Sequence, residues 1–275
     1  MIDLHLHTDA SDGRCSPGEL VARAAAVGLS VISVVDHDTF AAQPEVAVEA
    51  ARAGLRAVPG IEITAVWQGL DVHVLGYYLD PGRPDLARFL ENQRADRVRR
   101  VHAMLDRLGA LGMRVDFEQV AAPSGARAPH AIGRPQVARA LVERGYVGGT
   151  DEAFARYLGE GRPAFVPRIG ATPAEVVALV VVAGGVAALA HPGLLGRDEV
   201  IPGMVAAGMQ ALEVYHPDHP PETVARYQAV AKRHGLAVTG GSDYHADEGR
   251  AAALGRVTLP PADFERLDAI ARPRR

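Results

Sequence analysis

The sequence predicts an α/β fold, a (β/α) barrel one unit short of eight that carries a mainly helical insertion, and three observations lead there. Short apolar runs alternate with helical segments at both ends of the chain, seven such runs can be counted, and about eighty residues after Tyr78 lack a buried strand and are rich in Arg and small residues. Alternation of strand and helix signals parallel strands joined by crossovers. An open doubly wound sheet shares that rhythm, and the strand count is what favours the barrel.

The elements follow in order. Residues 2–6 form the first strand, and Pro17 opens a helix over 17–27 with Ser16 as N-cap and Glu19 three residues into the helix, a pairing that satisfies otherwise orphaned amides. Residues 31–35 are the second strand, 43–53 a helix closed by Gly54, and 56–63 and 71–77 two further strands. The barrel is assigned to 1–78 and 164–275, and the inserted helical cap to 79–163. Inside the cap, 93–108 sets Val98, Val101, Met104, Leu105 and Leu108 on one stripe, with Arg94, Asp96, Arg97 and Arg100 facing outward. Shorter helices span 135–143 and 151–157, and 124–130 is a loop. The rhythm returns with a helix from Pro173, strands at 186–190, 210–214 and 236–239, and a terminal helix within 260–275 that ends in a basic tail.

Composition narrows the function classes. With 48% hydrophobic and 23% charged residues the chain has the means to build a full core and lacks the signature of disorder. A formal charge of −4 gives no global basic field, which argues against holding duplex DNA along its backbone. The single cysteine, Cys15, excludes an internal disulfide framework, and the start of the chain shows no secretory segment. The longest apolar stretch is too short to span a bilayer, so a cytoplasmic protein without membrane contact is expected.

The informative feature is where the histidines and carboxylates fall. In Asp3-Leu4-His5-Leu6-His7 the polar residues alternate with apolar ones, so both imidazoles leave one face of a strand. A lone histidine in a strand is commonly just a satisfied core or surface residue. Here the same chemistry recurs: Asp12 follows the first strand, Asp36-His37-Asp38 ends the second, Glu62 ends the third, His73 lies in the fourth, His191 ends the fifth, and Asp243 and His245 follow the seventh. Strand ends of a parallel barrel converge at one mouth, and packing so many imidazoles and carboxylates together without cations leaves them repulsive and poorly solvated. Mixed nitrogen and oxygen ligands suit Zn²⁺, Mn²⁺ or Fe²⁺ better than Ca²⁺.

The motifs His5-Leu6-His7, Asp12-Gly13, Asp36-His37-Asp38, Gly60-Ile61-Glu62, His73, His191-Pro192 and Gly241-Ser242-Asp243-Tyr244-His245 resemble those of the polymerase and histidinol phosphatase family of metal-dependent phosphoesterases. The resemblance implies a distorted (β/α)7 barrel holding two or three divalent ions, Mn²⁺ foremost. On it, His5, His7, Glu62 and Asp243 hold one metal, Glu62, His73 and His191 a second, and Asp12, His37 and His245 a third. The cap, through Ile132-Gly133-Arg134-Pro135 and the segment from Tyr157 to Pro163, is similar to the subgroup of nucleoside 3′,5′-bisphosphate phosphatases and 5′-to-3′ exoribonucleases, with Arg162 where relatives often have Lys.

The expected reaction is in-line attack of an activated water on phosphorus. Asp38 is the residue expected to orient a neighbouring imidazole and His216 the one placed to assist the leaving group. Arg134 is the foremost reader of a second phosphate, followed by Arg162 and then by Arg94 and Arg97, whose run on a helix is otherwise a solvated face. The expected partner is a small nucleoside bisphosphate. Short 5′-phosphorylated RNA ends, histidinol phosphate and a nonhydrolytic metal-binding role are the alternatives.

Overall fold

The computed structural model describes residues 1–121, 130–246 and 254–271. Its strands are β1 (Ile2–Leu6), β2 (Val31–Val34), β3 (Arg56–Ala57), β4 (Gly60–Trp67), β5 (Leu70–Tyr77), β6 (Val186–Leu189), β7 (Ala211–Tyr215) and β8 (Ala237–Gly240). They form two open sheets, three strands in the order β1-β2-β3 and five in the order β4-β5-β6-β7-β8. The expected seven-stranded barrel is therefore corrected to an α/β fold with two sheets, and no closed barrel is seen among the described residues.

Two local causes account for the difference. Pro59, which has no N–H to give a ladder, falls inside the run expected as one strand over 56–63 and divides it into β3 and β4. Where a barrel needs β2 to pair along β4, the Gln43 side-chain amide fills the gap instead, donating to Val34 O at 2.6 Å and Gly60 O at 2.9 Å. Beyond it the sheets are joined by isolated bridges, His37 with Glu62 and Leu6 with Tyr244, and by an apolar cluster in which Leu4 of β1 meets Leu75 and Tyr77 of β5. The second departure is direction: β5 runs antiparallel to both β4 and β6, so it is one arm of a hairpin and not a βα unit.

The helices are α1 (Pro17–Ala26), α2 (Gln43–Arg52), α3 (Pro84–Ala110), α4 (Phe117–Ala121), α5 (Arg134–Glu143), α6 (Thr150–Ala153), α7 (Pro173–Val182), α8 (Pro192–Leu195), α9 (Ile201–Ala206), α10 (Pro221–His234) and α11 (Pro261–Ala271). A π turn over Phe154–Leu158 continues α6, and a 3-10 turn spans Asp198–Val200. The expected loop at 124–130 lies outside the described residues except for His130, as do 272–275 at the end of the basic tail. Ser16 caps α1 as expected, its hydroxyl accepting from Glu19 N while the Glu19 carboxylate accepts from Ser16 N. No helix among the described residues is long and apolar enough to cross a membrane.

The core divides by element. One cluster joins β4 to β7 with α7, α9 and α10 around Ile61, Ile63, Val180 and Leu212. Another joins α3 to α6 around Val101, Met104, Leu108 and Leu141, and it contains no strand residue. The stripe of α3 is not the one its apolar pattern implies. Val98 is exposed, while Gln93, Arg97 and Arg100 are buried beside Val101, Met104 and Leu108. Those arginines leave solvent because each has a partner: Arg97 Nε donates to Asp38 Oδ2 at 2.6 Å and Arg100 Nη2 to Val166 O at 2.9 Å.

Candidate metal centre

Strand pleating sends Asp3, His5 and His7 to one face of β1 and its extension, opposite Leu4 and Leu6. Gly241 lets the turn after β8 close on them, since a Cβ there would lie 2.4 Å from His5 N and 2.6 Å from Asp3 Oδ1. Asp3 accepts from Ser242 N at 3.0 Å and so fixes the turn that delivers Asp243 and His245. Asp36 accepts from Thr8 N, the Thr8 hydroxyl and the Ser11 hydroxyl, which folds the loop after β1 so that Asp12 turns inward. His73 arrives by register, for Thr64 pairs with His73 and Glu62 with Leu75, which makes Glu62 and His73 diagonal neighbours on one face.

Glu62 is the centre of the cluster. Its Oε2 lies 3.3 Å from His5 Nε2, 3.2 Å from His7 Nε2 and 3.2 Å from His37 Nδ1. Its Oε1 lies 2.9 Å from His73 Nδ1 and 3.2 Å from His191 Nε2. Asp243 Oδ1 is 3.3 Å from both His5 Nε2 and His7 Nε2, and Asp12 Oδ1 is 3.2 Å from His245 Nε2. Three sets have donor atoms close enough to share an ion: His7, Asp12, His37 and His245; His5, His7 and Asp243; and His37, Glu62 and His73. These sets partition the residues differently from the family pattern, because His7 and His37 each fall in two sets and His191 meets the cluster through Glu62.

The donor set fits divalent cations. Ligands about 2.0 to 2.2 Å from one ion stand roughly 3.0 to 3.4 Å from each other, the spacing seen here, including 3.1 Å between His5 Nε2 and His7 Nε2. Two imidazole lone pairs are not left facing each other at that distance without a positive charge between them. The buried Nδ1 atoms of His7, His37 and His73 have no hydrogen-bond partner, as nitrogens awaiting an ion should not. Outer partners set the tautomers: His5 Nδ1 donates to Glu213 Oε1 at 2.8 Å and His245 Nδ1 to Asp243 O at 2.8 Å, which leaves each Nε2 lone pair facing the cluster.

Charge follows the same logic. Burial opposes ionisation of Glu62, but His37, His73 and His5 hold its carboxyl well below the usual range. Asp12 and Asp243 are likewise buried, and His245 with His37 for the first and His5 with His245 for the second hold them down. Burial pulls His37 down to about 3, against the opposing pull of Glu62 and Asp12. For His7 burial is outweighed by the hydrogen bonds its ring donates to Asp243 and Glu62, which push it up to about 10. A proton on His7 occupies the negative pocket that a cation otherwise fills. Three residues around the centre, Asp38, His191 and Asp243, have φ of 51°, 25° and 49°, a left-handed strain of the order of 1–3 kcal/mol each that persists where surrounding structure enforces it.

The remaining expected residues separate. Asp38 is fully buried, accepts from Thr64 N at 2.9 Å and pairs with Arg97, so an arginine and not an imidazole is its partner. His216 is buried; Asp218 N donates to its Nδ1, so the neutral ring carries hydrogen on Nε2, 3.5 Å from Asp243 Oδ2. Arg134 lies in the wall of a cavity of about 420 Å³ whose lining also includes His73 and His191. Its Nη2 donates to Asp71 Oδ2 at 3.1 Å and its guanidinium carbon lies 5.9 Å and 5.7 Å from the ring centroids of Phe154 and Phe165. Arg162 is exposed and outside that lining, Arg94 reaches Asp38 O at 3.3 Å, and Arg97 is buried away from solvent. Cys15 is buried among apolar side chains and its thiol is pushed up by burial.

Sequence reasoning missed Glu213. It is fully buried in β7, holds His5 through Oε1 and accepts from His191 N through Oε2 at 2.6 Å, so one carboxylate orients two residues of the centre. An acid within a run otherwise expected to be buried was its only signal. Replacing Glu213 with Gln is expected to weaken metal affinity about ten- to a hundredfold by loosening His5. Titrating the metal-free protein with Mn²⁺ checks this, and an unchanged affinity would remove Glu213 from the centre.

A buried cluster of imidazoles and carboxylates, open to one cavity and spaced for several cations, defines a metal-dependent hydrolase. The profile of the PHP domain matches residues 3–113. The chain is 35% identical over 266 residues to the 3′,5′-nucleoside bisphosphate phosphatase of Chromobacterium violaceum, covering 94% of this chain and 93% of that one. It is 32% identical over 256 residues to the 5′-3′ exoribonuclease Rnm of Escherichia coli, with 88% and 84% covered. The solved structure of an amidohydrolase from Chromobacterium violaceum with bound sulfate and no metal aligns at a TM-score of 0.87 and 34% identity, covering 98% of this chain and 96% of that chain. The chain belongs to the PHP-domain family and is a metal-dependent phosphoesterase.

Proposed function

We propose that the chain removes the 3′-phosphate of nucleoside 3′,5′-bisphosphates and leaves the nucleoside 5′-monophosphate. The observation that carries this reading is that Arg134 shares one cavity with His73 and His191, so a cationic fork faces the space beside the metal centre. A volume of about 420 Å³ suits a small ligand. The bisphosphate phosphatase relative, alike over nearly its whole length, supports the substrate class.

Divalent ions held by His5, His7, Asp12, His37, Glu62, His73, His191, Asp243 and His245, with Mn²⁺ first and Zn²⁺ or Fe²⁺ next, would make a water acidic enough to attack at neutral pH and neutralise charge on the phosphoryl oxygens. The chain's own residues do the rest. Arg134 receives the 5′-phosphate through paired charge-assisted hydrogen bonds, its planar group already held by Phe154 and Phe165. From the inserted segment 79–163, Arg134 and Glu160 contribute to the cavity wall. His216 holds Asp243, and Asp38 anchors Arg97 beneath the cavity wall. Water adds to phosphorus, the P–O3′ bond breaks, and the 3′-oxygen leaves with a proton.

Mn²⁺-loaded protein is expected to prefer adenosine 3′,5′-bisphosphate over a 5′-phosphorylated oligoribonucleotide and over histidinol phosphate. Replacing Arg134 with Ala should raise KM for the bisphosphate roughly 10- to 100-fold, the loss of one bidentate charged contact, and affect a simple monoester far less. Preference for the oligoribonucleotide would move the assignment to exonuclease action, and equal losses on bisphosphate and monoester would remove the selective role of Arg134.

A further inference from the structure

A row of alternating charges runs from the core to the cavity wall, and phosphoester cleavage itself has no use for its middle. Arg97 Nε donates to Asp38 Oδ2 at 2.6 Å. Arg168 Nη1 lies 3.9 Å from that same oxygen, and Arg168 Nε lies 3.6 Å from Asp71 Oδ1. Asp71 Oδ2 in turn accepts from Arg134 at 3.1 Å. Exposure rises along the row, from none at the Asp38 side chain to 19% at Asp71 and 26% at Arg134.

Arg168 is the anomaly. It is 5% exposed, yet its Nε and Nη1 are buried without any hydrogen-bond partner. An unmade bond from a buried donor costs about 1–3 kcal/mol, more for a charged group. Both idle donors lie just beyond bonding range of carboxylates that are engaged elsewhere, Asp38 by Arg97 and Asp71 by Arg134. Burial also pulls Arg168 down to about 10, with Arg97 adding repulsion, so the guanidinium remains charged at neutral pH.

We propose that Arg168 is a positioning residue for phosphate recognition: it steadies Asp71 as the anchor of Arg134 and receives the Asp71 carboxylate when a substrate phosphate takes the Arg134 fork. This rests on the reading of Arg134 as the receiver of the second phosphate. A dianion arriving at Arg134 meets the negative charge of Asp71 beside it, and without another partner Asp71 is left part-buried and repelled. A displacement of roughly 0.7 Å toward Arg168 Nε brings the pair to ordinary bonding distance. The exchange fills a vacant donor at the moment one of the Arg134 bonds is given up. Arg168 is the more deeply buried partner, its side chain 3% exposed against 19% for Asp71, so that the carboxylate has the freedom to move toward the guanidinium. The consequence is selective, because only substrates with a phosphate at Arg134 draw on it.

The test is steady-state kinetics of the metal-loaded full chain on adenosine 3′,5′-bisphosphate and adenosine 3′-monophosphate, with R168M, R168K, D71N, R134A and the R168M/R134A double variant, each checked by its melting temperature. R168M is expected to raise KM for the bisphosphate about tenfold, with kcat and the monophosphate KM moving less than about twofold. R168K should recover part of the loss, and the double variant should bind the bisphosphate no worse than R134A alone. D71N, nearly isosteric, should repeat the selective rise in KM and decides the matter if R168M does not fold. A kcat loss equal on both substrates, or additive effects of R168M and R134A, would overturn the inference while leaving the role of Arg134 in place. An R134A variant that loses no selectivity would overturn that role and the inference together.

Discussion

Replacing Glu62 with Gln is expected to lower kcat/KM by about three orders of magnitude, a loss of roughly 4 kcal/mol of transition-state stabilisation. The carboxylate faces five imidazoles through two oxygens, and no other residue in the centre touches so many. Gln keeps the shape but removes a negative charge that would help hold cations among these imidazoles. It also turns an amide hydrogen toward rings whose lone pairs point inward. Metal analysis of the purified variant should show at least one ion fewer per chain than the parent, alongside the loss of turnover. Turnover within tenfold of the parent and an undiminished metal content would show that Glu62 does not join the ion positions.

Replacing Asp38 with Asn is expected to cost about 3–5 kcal/mol of stability, because Arg97 is then left buried without a counter-charge. For a chain of this size that corresponds to a fall in melting temperature of the order of 10 °C. Asn tolerates the left-handed backbone that Asp38 adopts, so the substitution isolates the charge from the φ of 51°. Arg97 is 7% exposed and Asp38 is fully buried, hence solvent cannot take over the pairing. Removing both partners as D38N/R97M should recover part of the loss, since an apolar side chain leaves no orphaned charge. Thermal denaturation of the metal-free protein measures both variants apart from metal binding. A change below 1 kcal/mol for D38N would show that the pair is solvated.

The imidazoles and carboxylates that cluster were legible because such residues sit where short-range patterns put them. Period-two alternation in β1 already places His5 and His7 on one face, and turn residues mark where Asp12, His37, Asp243 and His245 leave their elements. The neighbours were harder to read. In Asp36-His37-Asp38 the middle residue alone joins the ion sets, while Asp36 binds the loop after β1 and Asp38 binds α3. Their identical chemistry gives no local clue to the three destinations. Arg97 and Arg100 read as a solvated helix face because a buried guanidinium is costly unless paired, and the pairing groups, Asp38 and Val166 O, lie far away in the chain.

By itself the sequence determined most of the element positions and the cluster of imidazoles and carboxylates able to hold metal, for these depend on patterns that repeat within a few residues. Tertiary structure alone decided that the strands form two open sheets, that β5 is reversed, that Glu213 orients two residues of the centre, and that Arg134 and not Arg162 lines the cavity. Strand direction, sheet closure and the partner of a buried charge are set by contacts between distant segments, whose free energy is absent from any one of them.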